Sequence, residues 1–221
     1  NDNYGDNLDG YQGDHCPFRR GYSSLDRFGC LDSDGDGYSD DDPGGLDGVT
    51  PWYAHPVGLG DAFPVDASQW NDTDADGYGD NWADGSWNTS RLGWGIGSYF
   101  FNATTPDACP FITGNSFGDR YGCTDSDGDS FSDGDVNWTV VNGSDAFPFE
   151  ESQWRDRDFD GWGDNQSEGA NLVDDFPDNP TQWLDTDEDG WGDNQTYGAS
   201  QVDDFPFIPS QYRDTDGDGY G

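Results

Sequence analysis

The sequence predicts a mostly irregular fold: tandem loop repeats with small aromatic clusters in place of one core, a few short β-strands or hairpins, and no sizeable helix. Three observations predict it. A short acidic pattern recurs along the chain. Aromatic residues make up 16% of its 221 residues, while Ile, Leu and Val together number only 19. Proline and glycine interrupt the stretches in which a long helix could start.

The acidic pattern is clearest at Asp185-Thr-Asp187-Glu-Asp189-Gly190-Trp191-Gly192-Asp193. Carboxylates stand at positions 1, 3, 5 and 9, glycine at 6 and an aromatic residue at 7. Calcium is a hard cation that takes six to eight oxygen ligands. An EF-hand-type loop offers them from positions 1, 3 and 5, the backbone carbonyl of 7, and positions 9 and 12, with glycine at 6 for the turn. Aspartate suits this better than glutamate, because its short arm lets alternating residues converge on one ion.

The pattern recurs as Asp32, Asp34, Asp36, Tyr38 and Asp40, and then as Asp72, Asp74, Asp76, Tyr78 and Asp80. It returns as Asp125, Asp127, Asp129, Phe131 and Asp133, and as Asp156, Asp158, Asp160, Trp162 and Asp164. A last copy, Asp214, Asp216, Asp218 and Tyr220, reaches Gly221 before its ninth position. Near the start, Asp2 and Asp6 align with Asp189 and Asp193, as the latter half of another copy. One such motif can be a solvated acidic turn; five complete copies and two partial ones point to Ca²⁺, with about one ion or more per repeat.

Composition supports coordination over solvation. There are 47 acidic residues against 8 basic ones, a formal charge of −39, and 43 of the 47 acids are aspartates. A surface that only had to stay soluble would use glutamate about as readily. Such a chain repels nucleic acid and anionic membranes, and no apolar run is long enough for direct membrane insertion. No signal peptide is visible. Without cations the self-repulsion favours disorder, so metal-coupled folding is expected.

After each loop comes an Asp-x-[Phe/Cys]-Pro tetrad, beginning at Asp14, Asp61, Asp107, Asp145, Asp174 and Asp203. From the tetrad proline to the next loop there are two spacings. Four connectors span 8 residues (Pro64 to Asp72, for example) and two span 15 (Pro17 to Asp32, Pro110 to Asp125). The segments that follow are 1–17, the end of a partial repeat, and 18–64, a long connector with loop and insert. Next come 65–110, a short connector with loop and Trp-rich insert, and 111–148, a long connector with loop. The repeats 149–177 and 178–206 and the partial repeat 207–221 complete the chain.

The short connectors share a Gln-aromatic pair: Gln69-Trp70, Gln153-Trp154, Gln182-Trp183 and Gln211-Tyr212. Packing of these rings on the tetrad Phe and the position-7 aromatic is the favoured reading over a ligand-stacking role. The long connectors hold all four cysteines in a duplicated frame, C-P-F-x-x-G-x-S-x-x-D-R-[FY]-G-C. The duplication argues for two local disulfides, Cys16–Cys30 and Cys109–Cys123, each worth roughly 3 kcal/mol in the chain-entropy model. A zinc site is the alternative, but it needs C-x-x-C-like or histidine spacing, and the histidines are only His15 and His55. Disulfides place the protein outside the cytosol, at the cell surface or beyond.

The stretch D-x-C-P…G-C-x-D-S-D-G-D-G-x-x-D resembles the thrombospondin type 3 repeat, over nearly the whole chain apart from the inserts. In that family the position-12 Asp lies two residues before Cys-Pro. The resemblance therefore implies that Asp61, Asp107, Asp145, Asp174 and Asp203 are delayed position-12 ligands, with Asp14 in that part for the first loop. It also implies calcium-dependent, disulfide-pinned repeats with little regular secondary structure. The chain departs from the family where inserts part positions 9 and 12, notably 41–60 and 81–106, and where the last three complete units carry Phe for the tetrad Cys. Ser130 stands where glycine is wanted, which makes the Asp125 loop the strained one.

Two insert patches, 98–102 and 137–142, read as short strands or hairpins. Sequons occur at Asn71, Asn88, Asn102, Asn137, Asn142, Asn165 and Asn194, seven of the 14 asparagines. N-glycosylation of several is expected, weakest at Asn71 beside Asp72, with Asn165 and Asn194 pointing outward. No enzyme is read here: the cysteines pair, each His reads as a local turn or tetrad residue, and aspartate held on calcium is a poor proton donor. Two functions fit: a calcium-rigidified structural module of an extracellular filament, stalk or surface adhesin, and a calcium-dependent carbohydrate-binding module with exposed Trp52, Trp82, Trp87 or Trp94 stacking on sugar. The partial loops at the two ends add the expectation of partners that are copies of the same chain, head to tail, or a longer chain of the same repeats. An arbitrary boundary is the alternative.

Overall fold

The computed structural model describes residues 3–45 and 51–221. Among them, regular structure is limited to a 3-10 turn Gly85–Trp87, a single helix α1 (Asn88–Trp94) and a 3-10 turn Val140–Asn142, with isolated β-bridges between other segments. The chain forms two compact units, Asn1–Thr124 and Asp125–Gly221. No helix is long and apolar enough to cross a membrane among the described residues.

The expected strands differ from what forms. In 98–102 the pairing amounts to a single bridge between Trp82 and Tyr99. In 137–142, Asp135 accepts the Asn137 and Trp138 amides and Asn142 accepts that of Thr139, so the polypeptide curls into the 3-10 turn. Side-chain acceptors offered locally by Asp and Asn outcompete the β-propensity of Trp-Thr-Val-Val.

The interior is polar. Among the described residues buried apolar side chains are few (Cys16, Cys30, Trp82, Pro110 and Cys123), whereas Gln69, Gln153, Gln182 and Asn81 are fully enclosed. Each glutamine is a hydrogen-bond hub. Gln153 Nε2 donates to the Asn165 carbonyl at 3.0 Å and the Asn171 carbonyl at 2.6 Å, and its Oε1 accepts the Asn165 amide at 2.9 Å. Gln182 repeats this with Asn194 and Ser200, and Gln69 with Asn81 and Thr104. A buried amide with its oxygen and both donors engaged ties connector, loop exit and insert together at no desolvation penalty.

The aromatic clusters are pairs. Each position-7 ring lies on the connector ring that follows: Tyr38 on Trp70 at 5.1 Å, Phe131 on Trp154 at 5.2 Å, Trp162 on Trp183 at 6.0 Å and Trp191 on Tyr212 at 4.3 Å between centroids. All four are stacked within 13° of parallel. Where a long connector follows, the partner is Tyr121 for Tyr78 and Phe28 for Tyr4, and the rings tilt. Both long connectors are closed by disulfides, Cys16–Cys30 and Cys109–Cys123, with Cα atoms 5.0 and 5.1 Å apart.

Candidate metal centres

Each acidic loop is wound around its first aspartate. Asp125 accepts the backbone N–H of position 4 (Gly128, 2.7 Å) and of position 6 (Ser130, 2.9 Å). Asp32, Asp72 and Asp156 hold positions 4 and 6 of their own loops in the same way, and Asp185 the amides of Asp189 and Gly190. The position-5 carboxylate accepts the N–H of position 7, as Asp160 does from Trp162 at 2.9 Å. Closing so tight a turn needs left-handed backbone at position 6, which Ser130 adopts at φ 88°. It needs the same at position 4, where Ala75, Phe159 and Glu188 stand. This second demand was not read from the sequence.

The winding brings the carboxylates of positions 1, 3 and 5 together. In Asp32/Asp34/Asp36, Asp72/Asp74/Asp76, Asp125/Asp127/Asp129, Asp156/Asp158/Asp160 and Asp185/Asp187/Asp189, one oxygen of each lies within 4.8 Å of the others.

The tetrad aspartate joins them from outside the loop. Its N–H donates to the carbonyl of position 8 in every repeat: Asp14 to Gly5, Asp61 to Ser39, Asp107 to Gly79, Asp145 to Ser132, Asp174 to Gly163 and Asp203 to Gly192, at 2.8–3.0 Å. The bond forms whether 27 residues separate position 9 from the tetrad (Asp80 to Asp107) or 10 (Asp193 to Asp203). Insert length therefore does not set the site.

One tetrad oxygen, Oδ1, accepts the N–H two residues on, at 2.7 Å in Asp61, Asp107, Asp145, Asp174 and Asp203 alike. The other, Oδ2, is buried in all five and has no hydrogen-bond partner. The five residues are at most 2% exposed. Oδ2 atoms of Asp34, Asp36, Asp158, Asp160 and Asp189, and both oxygens of Asp74 and Asp187, are likewise buried and unpartnered.

Such carboxylates are expensive, because an uncompensated buried charge costs several kcal/mol. Burial, reinforced by neighbouring aspartates, pushes Asp61 and Asp107 up to about 8. The same causes push Asp145 and Asp174 up to about 7 and raise Asp203. Asp36 and Asp74 rise to about 6. The neighbouring carboxylates acting on these tetrad aspartates are those of their own loops: Asp34, Asp36 and Asp40 on Asp61, and Asp158, Asp160 and Asp164 on Asp174. Thus the proposed position-12 residues lie beside the loops they follow.

The position-9 carboxylates, expected as ligands, also accept hydrogen bonds from within their own loops. Asp133 accepts the backbone N–H of Ser126 at 3.1 Å and its hydroxyl at 2.6 Å. Asp40 with Ser33, Asp80 with Thr73 and Asp193 with Thr186 form the same clasp between positions 9 and 2. In Asp164 the partners are the Arg157 amide and the side chains of Arg155 and Arg157. These carboxylates lock the loop shut.

At the two ends, Asp214 accepts the amides of Gly217, Asp218 and Gly219, in an exposed loop that includes Asp216. Asp14 is buried and Asp6 exposed, and Asn3 takes the left-handed backbone at φ 79° that position 6 requires. Asp2 lies outside the described residues.

Asn102, Asn137 and Asn142 are exposed. Asn71 and Asn88 are half-buried, and Asn88 accepts the Trp82 indole N–H at 2.7 Å. Asn165 and Asn194 do not point outward as expected: their side-chain Nδ2 atoms donate to the Ser152 and Thr181 carbonyls at 2.8 Å. His55 Nδ1 lies 2.8 Å from the Asp72 carbonyl, a backbone contact.

The tryptophans read as a sugar platform are engaged with arginines. Trp82 is buried, and Trp82, Trp87 and Trp94 surround the Arg91 guanidinium at 6.0, 5.0 and 5.3 Å. Trp52 lies under Arg27 at 4.5 Å.

What the arrangement can do chemically is hold hard cations: clustered all-oxygen donors, no thiolate or imidazole among them, and buried oxygens that lack any partner. No protein-family model matches the chain, and no curated protein matches it.

Proposed function

We propose that this chain is a calcium-binding structural protein, a rigidified module of an extracellular filament, stalk or surface adhesin, without catalytic chemistry of its own. The observation that carries the reading is the unpartnered, buried Oδ2 of Asp61, Asp107, Asp145, Asp174 and Asp203, each beside the carboxylates of its own loop. Four or more convergent carboxylate side chains favour a cation with a large, flexible oxygen shell, hence Ca²⁺ over Mg²⁺, which demands a small octahedron and keeps its waters. The resemblance to thrombospondin type 3 repeats agrees with this, and the two disulfides suit an oxidising compartment. With so little apolar burial, ion binding supplies folding free energy. Exposed Asn102, Asn137 and Asn142 are the sequons best placed to carry glycans.

The test is removal of the ion. Near-UV dichroism of the stacked aromatic pairs and the radius of gyration are measured in calcium, after exhaustive calcium removal, and with magnesium alone. A weakened aromatic signal and an expanded, less stable chain, reversed by calcium and not by equimolar magnesium, are expected. An unchanged signal and radius in calcium-free buffer would overturn the reading.

A further inference from the structure

We infer that Arg91 is a resident cation of the Asp72 loop, set there by the insert so that this loop releases calcium before the Asp156 and Asp185 loops. The inference rests on the calcium reading above.

Arg91 is 2% exposed, in helix α1. Its Nη2 donates to the backbone carbonyl of Asp107, the tetrad residue of this loop. Its Nη1 is buried with no hydrogen-bond partner. The guanidinium is caged by Trp82, Trp87 and Trp94, all from the insert. The insert is itself tied to the loop exit, because Asn81 Oδ1 accepts the Ser98 amide at 2.8 Å and Trp82 exchanges backbone bonds with Ser98 and Phe100. Desolvated arginine stays charged, and aromatic faces hold it in place without neutralising it.

Its charge acts on Asp107 and Asp80. The Asp32 loop also has a buried arginine beside it, Arg27, whose Nε donates to the Ser39 hydroxyl at 3.3 Å, so the contrast lies with the Asp156 and Asp185 loops. Arg155 and Arg157 approach Asp164 at 3.4 and 3.6 Å, but their side chains are 63% and 47% exposed, so water and salt screen them. Among the described residues Arg27 and Arg91 are the buried arginines, so of the Asp72, Asp156 and Asp185 loops the first is the one with a buried positive charge behind its position-12 carboxylate. That charge partly neutralises the empty site and repels an arriving ion. The same group therefore lowers affinity and keeps this loop ordered without metal.

The test follows each loop separately in the full chain. The amides of Gly77, Gly161 and Gly190, each at position 6 and each bonded to its position-1 carboxylate, are monitored by NMR during calcium titration. Gly77 is expected to respond at a calcium concentration about tenfold above the others, a modest share of what a unit charge exerts across a partly screened site. Arg91→Gln should bring Gly77 level with the rest, whereas Arg91→Lys, which keeps the charge, should leave it late. Gly77 titrating with or ahead of the others in the unaltered chain overturns the inference, and that measurement needs no variant to fold. Equal effects of Arg91→Gln and Arg91→Lys would assign the difference to packing and overturn it too. If no amide responds to calcium, the calcium reading itself fails, a distinct result from Gly77 moving in step.

Discussion

The side-chain carbonyl oxygen of Gln153 occupies the space that a β-carbon on Gly163 would need. Gln69 stands in the same relation to Gly79, and Gln182 to Gly192. The loops that follow cysteine connectors carry serine at this eighth position, Ser39 and Ser132, and no such glutamine precedes them. There Ser39 uses its N–H and hydroxyl on Asp26 of the connector, the hydroxyl at 2.6 Å. Connector type and position 8 are chosen together, because both loop types must hold the position-8 carbonyl still for the tetrad aspartate.

Gly163→Ala should therefore cost about 3 kcal/mol, the size of a severe overpacking in a site that cannot yield. The neighbour that must move is the hub glutamine, and moving it breaks bonds to Asn165 and Asn171. Gly93→Ala, in α1 with open space around it, should instead stabilise by about 0.5–1 kcal/mol, as alanine does in a helix. Thermal unfolding of the two variants in saturating calcium checks the contrast in sign.

The calcium-free chain should gain stability as pH falls. Asp61 and Asp107 stand at about 8 in the folded protein, and Asp145 and Asp174 at about 7, against an ordinary 3.8. A raised folded pKa means that the native state binds more protons than the unfolded one between those values. Stability is then fully present below about pH 4 and is lost as pH rises through 7 to 8. Calcium must displace these protons, so with the ion present the slope reverses. Melting temperatures at pH 5 and pH 8, with and without calcium, should cross; parallel slopes would count against the buried carboxylates as ion ligands.

Much of this was legible in the sequence, and for a physical reason. Convergence of Asp at positions 1, 3 and 5 is local chemistry, so spacing alone reports it, and so is the pairing of cysteines within one duplicated frame. That each tetrad aspartate lies beside the loop it follows was legible only through a resemblance, because the bond that sets it there, position 8 carbonyl to tetrad amide, spans as many as 28 residues (Gly79 to Asp107). Gln153 was visible as a repeated letter, but its work is done by hydrogen bonds to two distant carbonyls, which no periodicity encodes. The Gly/Ser alternation at position 8 carried that signal unread. Arg91 left no trace at all, since three tryptophans of one insert looked equally like an exposed sugar platform. The 137–142 patch misled because strand propensity ignores the side-chain acceptors beside it.

Ser130→Gly should stabilise the protein by about 1 kcal/mol. Ser130 holds φ 88° to donate its N–H to Asp125 at 2.9 Å, a conformation that costs an L-residue of this kind on the order of 1 kcal/mol and glycine little. The gain should appear with and without calcium, since it lies in the backbone and not in the ion. Denaturant midpoints measured in both conditions would reveal a loss of stability if the serine side chain were instead needed.

Asp174→Asn separates the two parts this aspartate plays. The Asn carbonyl still accepts the Phe176 N–H that Oδ1 takes at 2.7 Å, and its own N–H still reaches the Gly163 carbonyl at 3.0 Å. What is lost is the charge on the buried, unpartnered Oδ2. Without calcium the variant should be more stable than the parent at pH 8, because a desolvated charge among Asp158, Asp160 and Asp164 has been removed. With calcium it should be less stable, and the ion at this loop should bind about 100-fold more weakly, the loss expected when one carboxylate of a compact oxygen site is neutralised. Opposite signs in the two conditions follow only if Oδ2 faces the ion. A fall in stability of equal size in both would make Asp174 a structural residue and leave the loop without its distant ligand.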